Sequence, residues 1–246
     1  MADKISLWLC GPLGKMGSEL RNALEIEDDI DLNGVISPEH VGQTIKFRNK
    51  DLEVSESLNE LSDKTALPDV IFDFTYAEVA YNTAIFCAEN NIHFVTGTTG
   101  LSQNQKDEII RAFKESKANA ILASNFSVGA VLMMHFAAQA AKHFSNIEIV
   151  ETHHTQKKDA PSGTAITTRE MIVESSNHAA DFIPIHSLRL PGAVAHQQVH
   201  LSSKGEILRI EHDANDRSCF MPGIILAIRK VDSTEDVLFS IEKLLF

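Results

Sequence analysis

The chain has 246 residues, of which 43% are hydrophobic and 23% charged, a balance that supports a buried core and excludes a disordered or fibrous polypeptide. Its 34 acidic against 22 basic side chains leave a net charge of −12, which argues against a nucleic-acid partner, because a phosphate-backbone binder needs a basic face. Cys10, Cys87 and Cys219 are scattered through apolar stretches and read as reduced, buried thiols rather than a disulfide or metal set. No charged leader opens the chain and no apolar run approaches the ~18 residues of a membrane span, so a cytoplasmic protein without a membrane partner is expected.

In chain order, the first half alternates short apolar runs with helical patterns. "ISLWLC" (5–10) reads as a buried strand, "SELRNALEI" (18–26) as a helix and "IDLNGVIS" (30–37) as a second strand followed by a polar loop. "DVIFDFT" (69–75), "HFVTGTTG" (93–100) and "NAILASN" (119–125) are three further strands, separated by helices over 78–91 and 103–116. Short apolar strands joined through helices predict right-handed βαβ crossovers and a parallel sheet covered on both faces.

After residue 126 the rhythm changes. A long apolar helix pattern over 129–144 precedes a strand at "NIEIVETH" (146–153), and a helix begins near Ser162. Strand-like runs follow at 182–190, 193–203 and 206–212, then a last helix candidate at "FMPGIILAIRKVD" (220–232). The pattern predicts an α/β chain with a Rossmann-type doubly wound parallel sheet, plus an α+β domain with a mixed or antiparallel sheet. Residues 1–126 with 214–246 would form a first domain, and 127–213 a second. Hinges fall near Asn125–Gly129 and His212–Asn215.

Two stretches carry chemistry. "CGPLGKMG" (10–17) lies between a strand and a helix, where glycines let a helix N-terminus approach a pyrophosphate. Its G-x-x-G-x-x-G spacing has Leu13 where the strict fingerprint has glycine, and it fits a nucleotide turn or a plain tight corner equally well. Loops of small and polar residues at 73–75, 97–100 and 124–127 favour the first, since they end strands whose carboxyl ends line the ligand crevice of an open sheet.

The second stretch is "VETHHTQKKDAPSGTAI" (150–166). Adjacent His153 and His154 at a strand end point to opposite sides. With neither cysteine nor a carboxylate at helical spacing nearby, a metal site is disfavoured against a polar loop or an anion receptor. Pro161 suits a first helical turn, and Ser162, Gly163 and Thr164 present amides without bulk. Flanked by Lys157, Lys158 and two histidines, that helix start is a receptor for a carboxylate or phosphate, and histidine and lysine can also move protons.

"ETHHTQKKDAPSGTA" closely resembles the E-x-H-H-x-x-K-x-D-A-P-S-G-T signature of the dihydrodipicolinate reductase family, and "CGPLGKMG" resembles its cofactor loop. "DFT", "GTTG", "NFSVG" and, more weakly, "SLR" (187–189) and "RSCFMPG" (217–223) follow in family order over nearly the whole chain. The resemblance implies reduction of 4-hydroxy-tetrahydrodipicolinate by NADH or NADPH on the route to diaminopimelate and lysine, with no metal, in a homotetramer. It implies His153 as acid–base residue, Lys157 as proton donor, and His154, Gly163 and Thr164 as contacts for the cyclic dicarboxylate. Cofactor would be held by Gly11, Pro12, Leu13, Gly14, Lys15 and Met16, by Gly97, Thr98 and Thr99, and by Ala123, Ser124, Asn125 and Phe126. Ser37, Pro38, Glu39 and His40 stand where relatives carry the residue that reads the ribose 2′ position, and Ala195, His196 and Gln197 replace a Gly-Glu-His. Alternatives are another NAD(P)-linked dehydrogenase of amino-acid type and a non-catalytic NAD(P)H-binding module.

Overall fold

A computed structural model describes residues 4–235 and 237–246. The chain divides into two compact units, Met1–Phe126 with Phe220–Phe246, and Ser127–Cys219. The return to the first unit thus comes at 220 rather than 214, because the last strand of the second unit runs through Ala214 and a short 3-10 turn over Arg217–Phe220 follows it.

The first unit opens with β1 (Ile5–Cys10), α1 (Lys15–Leu24), β2 (Ile30–Ile36), β3 (Thr44–Phe47), β4 (Lys50–Ser55) and α2 (Leu58–Lys64). It continues with β5 (Val70–Asp73), α3 (Ala77–Asn90), β6 (His93–Thr96), α4 (Gln103–Glu115) and β7 (Ala120–Leu122). The second unit holds α5 (Val128–Ala141), β8 (Asn146–His153), α6 (Gly163–Ser175), β9 (Ile185–Arg189), β10 (Ala195–Ser203) and β11 (Glu206–Ala214). The chain then returns through α7 (Met221–Lys230), β12 (Val237–Leu238) and α8 (Glu242–Leu245).

The first sheet runs β12-β7-β6-β5-β1-β2-β4-β3 and is parallel except for β3. Its central strands are apolar throughout because both faces are covered. Trp8 and Cys10 join Ile71, Cys87, Phe94, Ile109 and Phe113 in one core beneath α3 and α4. Strand alternation leaves Leu7 and Leu9 to the opposite face, and both are fully buried. The expected polar loop after β2 is instead the β3–β4 hairpin and α2. In "TIKF" and "DLEV" alternate residues Ile45, Phe47, Leu52 and Val54 are buried, a half-covered edge pattern rather than a continuous apolar run.

The second sheet runs β11-β10-β8-β9. β10 is antiparallel to both neighbours, while β9 is parallel to β8, so the sheet is mixed. Ile147, Ile149, Val199 and Leu201 are buried on the face that meets α5 and α6. The alternate face keeps Glu148, His186 and Leu188 exposed, the one-sided covering common in antiparallel sheets.

Arg229 of α7 pins the returning segment to the first unit. Its Nε and Nη2 donate to the two carboxylate oxygens of Asp29 at 2.7 and 2.6 Å, and Nη2 also donates to Glu27. The hydrogen bond from Arg229 holds the Asp29 carboxyl below its usual range. Arg229→Ala is expected to lower stability by about 1 kcal/mol, the scale of a part-exposed ion-pair network. Fluorescence of the single tryptophan, the fully buried Trp8, reads this as a lower urea midpoint. A midpoint equal to the parent's would show that the network contributes nothing.

Candidate active site

In the first sheet, connections leave β1 towards β2 on one side and reach β5 on the other, and this reversal opens a crevice at the carboxyl ends of β1 and β5. Gly11 leaves β1 with φ +78°, and a Cβ there would stand 2.6 Å from the Phe74 carbonyl oxygen. A Cβ on Gly17 would stand 2.1 Å from the Gly11 carbonyl oxygen, so only glycine lets α1 close onto the turn. Gly14 caps α1 without a side-chain hydrogen bond, leaving the positive end of the helix to an outside anion. A cavity of about 320 Å³ lies there, lined by Gly11, Leu13 and Gly14, by Ser37 to His40 after β2, and by Phe74 to Tyr76 with Val79. A second cavity of about 320 Å³ shares Pro38, Thr75 and Val79 and runs on to Ser57 at the start of α2 and Asn82 of α3. Pro12 is buried, its carbonyl accepting from Arg21 Nε at 3.0 Å, while Lys15 is exposed and Met16 half-buried on α1.

Asp73, fully buried at the end of β5, gathers the neighbouring loops. Its Oδ1 accepts from Thr98 Oγ1 at 2.7 Å and from the Thr75 amide at 3.2 Å, and its Oδ2 from Thr75 Oγ1 at 2.7 Å. Thr96 Oγ1 donates to the same carboxylate at 3.2 Å. Burial pushes the Asp73 carboxyl above its usual range, and the threonine hydrogen bonds only partly oppose this. Gly97 lies against the Phe74 ring, where a Cβ would meet a ring carbon at 2.3 Å, and Thr99 is exposed beside it. After β7 the Ala123 amide donates to the Thr96 carbonyl at 3.1 Å, Ser124 is exposed, Asn125 is half-buried, and Phe126 is buried against Phe72 with ring centroids 5.9 Å apart.

In the second unit, Glu151 and His153 lie two residues apart on β8 and share a face. His153 Nδ1 meets Glu151 Oε2 at 2.5 Å, and since a carboxylate only accepts, Nδ1 carries a proton and Nε2 is the ring nitrogen that Glu151 does not engage. Glu151 has no exposed side-chain surface. Arg189 of β9 grips both its oxygens, Nη2 to Oε1 at 2.9 Å and Nη1 to Oε2 at 3.0 Å, and the Ser162 amide donates to Oε1 at 3.3 Å. Burial pushes the Glu151 carboxyl up, but the hydrogen bonds from Arg189, Ser187 and His153 outweigh it, and the group sits below its usual range. Burial also pushes the His153 imidazole below its ordinary range, and Glu151 only partly offsets this.

The loop after β8 turns at His154, whose carbonyl accepts the Lys157 amide at 3.1 Å. Lys157 Nζ lies 2.8 Å from Asp159 Oδ2, and Arg189 Nη2 donates to the Asp159 carbonyl at 2.6 Å. Ser162 caps α6 by accepting from the Ala165 amide at 3.2 Å. Gly163 is exposed at the first position of that helix, and a Cβ there would meet no atom within 4 Å. Thr164 follows it, half-buried. The arrangement can hold an anion at a helix start beside an oriented imidazole and a lysine. Ala195 pairs with His153 in the ladder, His196 Nδ1 lies 2.7 Å from Asp213, and Gln197 is buried beneath α6.

Sequence reasoning misses Glu151 and Arg189 as members of this cluster. A signal for Glu151 is present, since a carboxylate two positions before a strand histidine faces the same way. For Arg189 the sequence offers only the weaker landmark "SLR" (187–189), which does not name its partner, because β9 meets β8 only through the sheet.

Family descriptions of dihydrodipicolinate reductase match this chain, the N-terminal one over residues 5–126 and the C-terminal one over residues 129–245. The chain is 41% identical to the 4-hydroxy-tetrahydrodipicolinate reductase of Enterococcus faecalis over 260 residues, which cover 98% of this chain and 100% of the relative. It is 36% identical to that of Thermosynechococcus vestitus over 271 residues, covering 100% and 98%. Among solved structures it is similar to a dipicolinate-bound dihydrodipicolinate reductase from Paenisporosarcina sp. TG-14, with TM-score 0.86 and 33% identity over 98% of this chain and 99% of that one. An amine dehydrogenase from Mycobacterium smegmatis, with TM-score 0.70 and 13% identity over 98% and 96%, shares the fold alone. By both family descriptions and by identity over its full length, the chain belongs to the dihydrodipicolinate reductase family.

Proposed function

We propose that the crevice of the first unit holds NADH or NADPH and that the start of α6 holds the cyclic dicarboxylate it reduces. The chain is an NAD(P)H-dependent oxidoreductase of the diaminopimelate and lysine route, acting on 4-hydroxy-tetrahydrodipicolinate to give tetrahydrodipicolinate. The observation that carries the assignment of roles is the buried Glu151 carboxylate fixing His153 beside the Ser162-capped helix.

The residues of the first unit fit a dinucleotide. The uncapped start of α1 and the glycine cradle at Gly11 and Gly17 suit a pyrophosphate, and the two neighbouring cavities, which share Pro38, Thr75 and Val79, suit an adenosine end. Gly97 to Thr99 and Ala123 to Phe126 are assigned to the remainder. When bound, the reduced nicotinamide supplies a hydride.

The chain's own residues supply the rest. Gly163 and Thr164 present the helix start to a substrate carboxylate, and His154 contacts the same ligand. Loss of the 4-hydroxyl as water, together with a proton from the neighbouring ring carbon, gives a double bond conjugated to the imine. Hydride addition at the far carbon of that system leaves negative charge, which a proton neutralises, so one hydride and one proton enter and one water leaves. His153 exchanges that proton at Nε2, with Glu151 stabilising the imidazolium, and Lys157 is the second donor. Released from Asp159 by a dianionic substrate, the Lys157 ammonium also offsets the ligand's charge.

Three further assignments belong to this reading. The uncovered face of the second sheet, with Leu188 and Ile207 exposed, supports a homotetramer joined there. Among the described residues no helix is long and apolar enough to cross a membrane. Free thiols at Cys10, Cys87 and Cys219 support a reducing, cytoplasmic setting. For cofactor choice, Ser37 places no charge at the end of β2, and Glu39 is the acid that lines the cavity.

In an assay of NAD(P)H oxidation with freshly generated substrate, His153→Gln and Lys157→Ala are each expected to lower kcat about 10²–10⁴-fold. Turnover at the parental rate in both variants would remove these residues from the chemistry. A proton donor works only when protonated, so activity that needs protonated His153 falls as pH rises through its pKa. Glu151→Gln removes the group that raises that pKa and leaves burial, Lys157 and Arg189 lowering it. The falling limb of kcat/KM should therefore move to lower pH, and a limb at the parental position would contradict the dyad. Glu39→Ala should raise kcat/KM for NADPH relative to NADH by roughly fivefold, the ~1 kcal/mol of one exposed like-charge contact. An unchanged ratio would assign cofactor choice elsewhere.

A further inference from the structure

We infer that Gln197 is a positioning residue that sets the substrate-gripping end of α6. The inference rests on the reading of that helix start as the dicarboxylate site. Gln197 lies mid-strand on β10, 5% exposed, and pairs with Glu151 across the antiparallel ladder. Paired residues in such a ladder project from the same face, so the two polar side chains stand side by side beneath α6.

Each holds a different point of the helix. Glu151 accepts the Ser162 amide at the cap. Gln197 Nε2 donates to Thr168 Oγ1 at 2.7 Å, and Thr168 Oγ1 donates to the Thr164 carbonyl at 2.7 Å. Thr168 is fully buried, so this relay excludes water. A threonine hydroxyl bonded back to the carbonyl four residues earlier shifts the local helix geometry. Here it is hooked to the sheet by Gln197, and the carbonyl it pulls belongs to Thr164 itself. The other end of the amide, Gln197 Oε1, is buried and has no hydrogen-bond partner among the described residues. An unpaired buried carbonyl is costly, and an apolar side chain of the same length would avoid that cost. What the amide provides in exchange is the donor that fixes Thr168.

The probe is dipicolinate (pyridine-2,6-dicarboxylate), titrated calorimetrically into the full-length parent, Gln197→Met, Thr168→Val and the double variant. Methionine keeps the volume and removes both the donor and the unpaired oxygen. We expect the parent to bind, and each single variant to bind about tenfold more weakly, the effect of one buried hydrogen bond. The double variant should lose no more than either single one, because both cut the same relay. In turnover, substrate KM should rise by a similar factor while kcat and cofactor KM stay at parental values, and Gln197→Met, which leaves no amide unpaired, should keep the parental melting temperature, a split that general loosening would not give. Parental affinity in Gln197→Met, or losses that add in the double variant, would overturn the inference while leaving the helix start as the binding site. Should Gln197→Met fail to fold, parental affinity in Thr168→Val would overturn it equally, and a tenfold loss there would support it. A parent that does not bind dipicolinate would instead remove the reading of α6, and this inference with it.

Discussion

The second unit is organised around one buried carboxylate. Glu151 is removed from water, which for an isolated carboxylate costs several kcal/mol. It meets donors from β8, β9 and the start of α6 through His153, Arg189 and the Ser162 amide. A planar guanidinium that engages both oxygens compensates burial far better than a point charge could. The same contact fixes the tautomer of the histidine, the entry of the helix and the register of β9 against β8. Remove the carboxylate, and Arg189 and His153 lose the group that orients them both.

The first unit offers a counterexample in Asp73. It is equally buried, but its donors are the hydroxyls and amides of Thr75, Thr96 and Thr98. Without a cation, burial prevails and its carboxyl is pushed up, whereas that of Glu151 is held down. Two buried acids thus do the same mechanical work, tying loops at strand ends, with opposite electrostatic outcomes. The cation-paired carboxylate holds a histidine on its other side, and the hydroxyl-bound one shapes the loops that follow β5 and β6.

Legibility of the sequence follows burial. Strands covered on both faces, β1 and β5 to β7, stand out as apolar runs between turn residues, and β8 has the bounds that its pattern gives. The β3–β4 hairpin, α2, β12 and α8 do not stand out in this way. Each is short or half-covered, so its apolar residues are diluted by charged ones such as Lys46 and Glu53. At the proposed site, the loop after β8, the start of α6 and the glycine turn after β1 are local in sequence and can be read there. Arg189, Asp73 as a clamp, and the Gln197–Thr168 relay cannot, because each depends on which strands become neighbours.

The sequence by itself determined the class of fold, the family and the chemical inventory. Periodicity, capping residues and a dense signature are properties of short stretches, and elementary sterics and hydrogen bonding act on them locally. Only the tertiary structure decided why the Glu151 carboxyl is held down while that of Asp73 is pushed up, and what holds the first turn of α6. Those outcomes depend on burial and on partners such as Arg189 for Glu151, Thr98 for Asp73 and Gln197 for Thr168, which lie 38, 25 and 29 residues away along the chain, and no local pattern encodes the dielectric or the distant donors that folding will place around a side chain.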